Sequence, residues 1–235
     1  MDTPDPIAPF RPCHVPSVDA PPWLCRSGTS GYYETGRYKN YSPYSFVTGE
    51  AEFLEAQHKG YHPICISAPD YPVFLAEISD APPLLWANGN NACLNKPIIA
   101  PVGAHSASSL RRRVTHMMVE GLAEVDFSVI SGLAHSIDAA ATLKHGTIAV
   151  VAGGLDVFYP RENKKLYRIY HDIPENGILL TDQPAGLIHQ ARHFPMRNRI
   201  IAGMAKAVVI MEGAARYGSL ITAHNALDIA PRSWQ

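Results

Sequence analysis

The chain has 235 residues with 20 Lys+Arg against 21 Asp+Glu, a net charge of −1, and 46% apolar residues. That is room for one good-sized domain with a real core, or one domain and a small appendage. No apolar run approaches the roughly 18 residues of a membrane span, no signal-peptide pattern opens the chain, and Cys13, Cys25, Cys65 and Cys93 form no C-x-x-C pair.

Residues 1–43 are Pro-rich, with turn signals at Pro21-Pro22, Ser27-Gly28 and Ser30-Gly31, and are expected to be irregular or disordered. Thr48 or Gly49 opens a predicted helix that runs to about Lys59 and stops at Gly60. A short strand is expected over His62–Ser67, a turn and helix over Pro69–Ile78, and another strand at Leu84–Ala87. Residues 44–96 are therefore predicted to be a short α/β extension leading into the core.

From Lys96 apolar runs alternate with helical periodicity. Buried strands are predicted at Pro97–Val102, Phe127–Ile130, Thr147–Val151, Ile178–Thr181 and Ala207–Met211. Helices are predicted at Ser106–Leu122, Ile137–Lys144, Lys164–His171, Arg197–Ala205 and Ser219–Ile229. Near-continuous Val/Ile strands between helices predict an α/β fold: a Rossmann-like, doubly wound, mainly parallel sheet over residues 97–235. Such sheets bind ligands at the carboxyl ends of their strands. Charge follows the same division. Residues 1–96 carry 6 Lys+Arg and 10 Asp+Glu (net −4), and residues 97–235 carry 14 and 11 (net +3), so a polyanion site belongs to the second part.

Three strand ends carry small residues: Val102-Gly103-Ala104-His105-Ser106, Ser131-Gly132-Leu133-Ala134-His135-Ser136 and Gly153-Gly154-Leu155-Asp156. Glycine lets main-chain N–H groups approach a phosphate, and the helix that follows adds its positive end. One such turn is most often only a tight connection; three at successive strand ends favour a shared ligand site. Neither G-x-G-x-x-G nor the P-loop pattern is present. Further on, Phe194-Pro195-Met196-Arg197-Asn198-Arg199 sets two guanidiniums beside an apolar helix, and Gly218-Ser219 opens another. Arg161 follows Tyr159-Pro160 and can face the same cleft. Arg111-Arg112-Arg113, inside a helix, point different ways and fit a solvated face better than a ligand track. Asp138, Asp156 and Glu212 are the acids of interest. Asp138 fits a helix start, Asp156 fits a turn brace, and no catalytic set or metal spacing emerges, so neither catalytic residues nor a metal or cofactor is expected.

Residues from about 62 to 229 resemble the DNA-processing protein A family (DprA, also called Smf). The likeness rests on Pro69-Asp70-Tyr71-Pro72, Ile78-Ser79-Asp80-Ala81-Pro82-Pro83-Leu84-Leu85 with Gly89-Asn90, and Ser131-Gly132-Leu133-Ala134 with Ile137-Asp138-Ala139-Ala140. It continues through Gly146-Thr147-Ile148-Ala149-Val150 and Gly153-Gly154-Leu155-Asp156 with Tyr159-Pro160. The most specific pieces are Phe194-Pro195, Arg197 to Gly203, and Gly218-Ser219-Leu220-Ile221-Thr222-Ala223. The resemblance implies a cytoplasmic, non-enzymatic protein that binds and protects single-stranded DNA and loads a RecA-type recombinase during natural transformation. It also implies a homodimer. Carried over residue by residue, it places the DNA site at Gly103, His105, Ser131, Gly132, His135, Arg161, Arg197, Asn198, Arg199, Gly218 and Ser219. Phe158, Tyr159 and Phe194 are candidates for base stacking.

The chain departs from the family pattern in places. His105 and His135 stand where the family carries arginine, and Ser136 where it carries glycine; histidine is a weaker, pH-dependent cation. Residues 1–43 lack the family's helical start, and the chain stops soon after Ile229, so a truncated or decaying member with a weakened dimer is expected. Two other outcomes remain open. A nucleotide-cleaving hydrolase on a related fold would need an acid beside Gly-Gly-x-Gly-Thr, where this chain has Gly153-Gly154-Leu155-Asp156. The other is an inactive remnant.

Overall fold

The computed structural model describes residues 46–66, 68–103, 108–133, 146–158, 173–174 and 177–212. Seven strands form one sheet: β1 (His62–Cys65), β2 (Leu84–Gly89), β3 (Ile98–Gly103), β4 (Ser128–Ser131), β5 (Thr147–Val150), β6 (Gly177–Thr181) and β7 (Ala207–Glu212). Their order is β1-β2-β6-β5-β4-β3-β7. β7, β3, β4, β5 and β6 are parallel, whereas β2 joins β6 and β1 joins β2 antiparallel. The mainly parallel, doubly wound sheet expected from the apolar runs is therefore present. The described helices are α1 (Phe46–His58), α2 (Val73–Glu77), α3 (Ser109–Glu124) and α4 (His193–Met204).

The strands are apolar at nearly every position because both faces are covered. In β5, Ile148 and Val150 join one core while Ala149 joins the other; in β6, Ile178 and Leu180 oppose Leu179 in the same way. α4 and α2 cover the first face through Ile200, Ile201, Met204 and Leu75, and α1 reaches the second through Ala56. α3 rests on β4 of that second face through Val119 and Val129. Each large side chain so buried stabilises the fold by about 1.5–3 kcal/mol.

Element edges differ from the sequence reading in instructive ways. α4 begins at His193 rather than Arg197. Pro195 lies in its first turn, where an amide has no intrahelical partner to lose. A 3₁₀ turn at Asn91–Asn95, absent from the predicted elements, is held by the Asn90 side chain accepting from Ala92 N at 2.9 Å. The Pro69-Asp70-Tyr71-Pro72 stretch is a staple before α2. Tyr71 is buried and donates its hydroxyl to Pro82 O (2.7 Å), and Asp70 accepts from Asn91 Nδ2 (3.0 Å). Cys65 and Cys93 are buried. The predicted helices over 137–144, 164–171 and 219–229 lie outside the described residues.

The topology singles out one place on the sheet. From β3 the chain steps to β4, β5 and β6 in turn, then crosses back to lay β7 on the far side of β3. β3 thus lies between β4, which follows it in the chain, and β7, which comes after β6, and the crevice outside the carboxyl ends of β3 and β7 is the switch point where such sheets take ligands. Gly103, the last residue of β3, sits there opposite Glu212, with a register shift just before it.

Candidate functional site

Three described elements converge on the strand carboxyl ends beside the switch point. The first is the Ser131-Gly132-Leu133 turn that ends β4. Ser131 is buried, and among the described residues its hydroxyl has no hydrogen-bond partner. Leu133 takes a left-handed φ of +52° while its side chain is buried in the second core. A non-glycine residue in that region is strained unless its surroundings impose it, and such strain gathers at functional turns.

The second element is the start of α4. Arg197, only 6% exposed, donates through Nη1 to Gly132 O at 2.5 Å and reaches toward Val150 O at 3.5 Å. It therefore spans the ends of β4 and β5. Its guanidinium also lies over the Phe194 ring at 5.6 Å, and His189 meets that ring edge-on at 6.1 Å. Any Cβ on Gly132 would fall inside the guanidinium, so glycine is required there for the close approach. Arg199 points elsewhere. Its Nη1 donates to the Asp80 carbonyl and lies 3.3 Å from that residue's carboxylate, and Nη2 pairs with Asp182 Oδ2 at 3.2 Å. Asp182 is buried and also accepts from Gln183 Nε2 at 2.7 Å. Arg199 thus ties α4 to the end of β6 and to the α2–β2 connection. Asn198, between them, is half-buried.

The third element is the Gly153-Gly154 turn after β5. The loop that follows β6 fills it: Gly154 N donates to Leu187 O (2.9 Å), and Cβ atoms on either glycine would strike main-chain atoms of residues 184–189. Asp156 holds this loop, accepting from Gly186 N and from Lys59 Nζ, both at 2.7 Å. Lys59 also pairs with Glu55 at 2.7 Å, so α1 is latched to the turn. Burial raises the Asp156 carboxyl, but the hydrogen bonds from Lys59 and Gly186 outweigh it and hold the group below the usual carboxylate range. Hydrogen bonding to Asp156 and Glu55 pushes the Lys59 ammonium well above its ordinary value. The turn brace expected of Asp156 is what the structure contains, and the acid that a hydrolase would want at this turn is already engaged.

The structure brings Ser131, Gly132 and Arg197 together, sets Gly103 two strands from β5 at the switch point, and turns Arg199 to a separate carboxylate pair. His105, His135, Arg161, Gly218, Ser219 and Tyr159 lie outside the described residues. Phe158 packs against the second core. Lys59, Asp80 and Asp182 were not singled out from sequence. Asp182 had a signal, since it directly follows the last residue of β6, whereas Asp80 and Lys59 act across long chain separations that no local pattern reports. Exposed cations do stand at this edge: Arg192 precedes α4, and Arg112 lies in the first turn of α3. Both helices direct their N-termini, and so their positive dipole ends, to the strand carboxyl ends.

Residues 62–232 match the family model described as DNA recombination-mediator protein A. The chain is 41% identical over 163 residues to DNA processing protein DprA of Streptococcus pneumoniae, covering 67% of this chain and 56% of that protein. It is 36% identical over 178 residues to DprA of Bacillus subtilis (73% and 59%) and 32% identical over 184 residues to protein Smf of Escherichia coli (76% and 49%). The chain thus spans about half to three fifths of the length of these relatives. The X-ray structure of DprA from S. pneumoniae superimposes with a TM-score of 0.69 at 32% identity, covering 90% of this chain and 73% of that one. DNA processing protein A from Helicobacter pylori, solved to show its single-stranded DNA binding mode, shares the fold with a TM-score of 0.65 at 22% identity, over 72% of this chain and 77% of that one.

Proposed function

The chain belongs to the DNA recombination-mediator protein A family, and on that premise we propose that it binds single-stranded DNA without catalysis, as one step of DNA processing. The observation that carries this reading is the meeting of small residues with two helix N-termini along the strand carboxyl ends from β5 to the β3/β7 switch point. Gly103 and Gly132 give the strand ends the small side chains that let a phosphate come close, the Ser131 hydroxyl beside them is a candidate donor, and two positive helix ends favour an anion there. Such a surface takes up a sugar-phosphate backbone without reading base edges, which suits a strand of any sequence.

Within that proposal the arginines divide their labour. Arg197 and Arg199 set the shape of the ledge, because their guanidiniums are engaged by Gly132, Asp80 and Asp182. Arg112 and Arg192 are exposed and meet phosphate from the rim, Arg192 through its terminal nitrogens while its Nε donates to His193 Nε2 at 3.4 Å. His105, His135, Arg161, Gly218 and Ser219 complete the site, with Asn198 beside Arg197 as a further donor. Residues 97–235 form the DNA-binding unit, and the bound strand is passed to a RecA-type recombinase in the cytoplasm.

Fluorescence anisotropy with a labelled oligothymidylate, over a salt series, tests the reading. Binding that is firm at low salt and weakens as salt rises is expected. No binding at low salt would defeat the proposal, and nucleotide release from the same samples would point to the hydrolase instead. Addition of a RecA-type recombinase to the bound strand tests the transfer: filament assembly should be faster with the protein than without it.

A further inference from the structure

Phosphate contacts alone hold any nucleic acid backbone, whereas a single strand also leaves its base faces uncovered. A surface that takes single strands gains by offering those faces an apolar group. Two aromatic side chains near this edge are already engaged. Phe158 packs against the second core, and the Phe194 ring carries Arg197 over its face at 5.6 Å and meets His189 at 6.1 Å. Ile188 is placed differently. It lies between β6 and α4, and it is 62% exposed.

The chain is held on both sides of Ile188. Before it, Gly186 N donates to the Asp156 carboxylate at 2.7 Å, and the Leu187 carbonyl accepts from Gly154 N at 2.9 Å. After it, the His189 main chain lies so close to Gly153 that a Cβ built there would stand 3.2 Å from His189 N. Gln190 N then donates to His193 Nδ1 at 3.2 Å, and His193 N donates back to Gln190 O at 2.9 Å. Ile188 therefore projects into solvent from a backbone fixed against the carboxyl end of β5. A side chain set in place in this way loses little further freedom when a ligand covers it. Arg192, exposed, follows four residues later at the start of α4. One apolar side chain and one cation on the same stretch match the two parts of a nucleotide, its base and its phosphate.

We propose that Ile188 packs on the face of a nucleobase while Arg192 takes a neighbouring phosphate, and that this contact gives the site a preference for single strands. The proposal rests on the DNA-binding reading and adds the part of the strand that Ile188 meets. In a duplex each base face is covered by its neighbours in the stack, so the contact is open only to an unpaired strand. It is indifferent to base identity, because every base has such a face.

Anisotropy of the full chain tests it with three labelled ligands of equal length: oligothymidylate, its duplex with oligoadenylate, and an abasic deoxyribose-phosphate strand that keeps every phosphate and lacks every base. The wild type should bind oligothymidylate at least roughly fivefold more tightly than the abasic strand. Ile188→Ser should weaken oligothymidylate roughly fivefold, leave the duplex and the abasic strand within about twofold of wild type, and keep the salt slope, since no charge changes. Ile188→Trp should tighten oligothymidylate by about threefold or more and the abasic strand not at all. Met117→Ser, at a 68% exposed position two turns into α3, is the control and should bind all three ligands as the wild type does. Melts of the same samples should be nearly unchanged, because neither side chain is buried. Failure to bind any strand at low salt defeats the DNA-binding reading and this contact with it. Equal wild-type affinity for the thymidylate and abasic strands, an Ile188→Ser protein that binds as the wild type does, or an equal loss on all three ligands leaves that reading standing and overturns the base contact.

Discussion

Arg197 shows how a guanidinium can shape a proposed binding site from within the fold. It is buried, and it donates to the carbonyl that ends β4 while lying over Phe194. Arg197→Ala leaves that carbonyl and its neighbour on β5 without this donor and opens a void beside the ring, which should cost about 2–4 kcal/mol of stability in urea titration. Gly132→Ala should cost a comparable amount with every arginine retained, because its Cβ would occupy the guanidinium's place. Agreement between the two variants would identify the close approach itself as the stabilising feature. Asp156 carries a pH signature. Its folded pKa lies below its unfolded one, so its contribution is present above about pH 4 and is lost as pH falls through the folded value. Lys59 acts in the opposite sense. Its folded pKa is raised, so its share is complete below about pH 10 and is lost as pH rises through the folded value. With Asp156 and Lys59 side chains 23% and 34% exposed, the pair stabilises by less than about 1 kcal/mol. The melting-temperature gap between wild type and Asp156→Asn should be flat across neutral pH and should close below about pH 4.

Elements were legible wherever burial dictated composition. β4, β5 and β6 are buried at every position, so their Val/Ile runs could be nothing but covered strands. The Asn91–Asn95 turn was not legible, since it depends on one Asn side chain reaching two residues onward. The turn motifs were legible as glycine-bearing strand ends but not in their use. Gly153-Gly154 has the composition of a phosphate turn, yet a loop more than thirty positions away along the chain fills it. Likewise Arg197 and Arg199 read as an anion clamp, because nothing near them in sequence announces Gly132, Asp80 or Asp182. The end of α3 holds a further lesson at this scale. Phe127 N donates to Leu122 O and Asp126 N to Ala123 O, with Asp126 at φ +62°, which is a Schellman ending built on a non-glycine residue. Asp126→Gly relieves the left-handed backbone and forfeits an ion pair with Lys96 whose aspartate side is 81% exposed. The first effect is the larger, so the variant should be more stable by about 0.5 kcal/mol, read as a raised melting temperature.

For the whole molecule, the quantity that decides the proposed function is how many charges meet DNA. A single strand releases counterions in proportion to the phosphates neutralised, with a slope of log K on log salt of about −0.7 per contact. Net charge says little here, because the chain sums to −1, and the number of rim cations free to act sets the slope instead. Arg112 and Arg192 are exposed at the strand carboxyl edge, whereas the Arg199 guanidinium already faces two carboxylates. Arg112→Gln and Arg192→Gln should therefore each flatten the slope by about 0.7 and leave the melting temperature nearly unchanged. Arg199→Gln should do the reverse. It removes the partner of buried Asp182, lowering stability by about 2–4 kcal/mol, while the slope of the fraction that remains folded holds at the wild-type value. Anisotropy at four or more salt concentrations, paired with melts of the same samples, separates these outcomes. Should Arg199→Gln flatten the slope as the rim variants do, with no loss of stability, DNA must displace Asp80 and Asp182 on binding, and the guanidinium would then be a direct phosphate contact that the free protein keeps paired until a strand arrives.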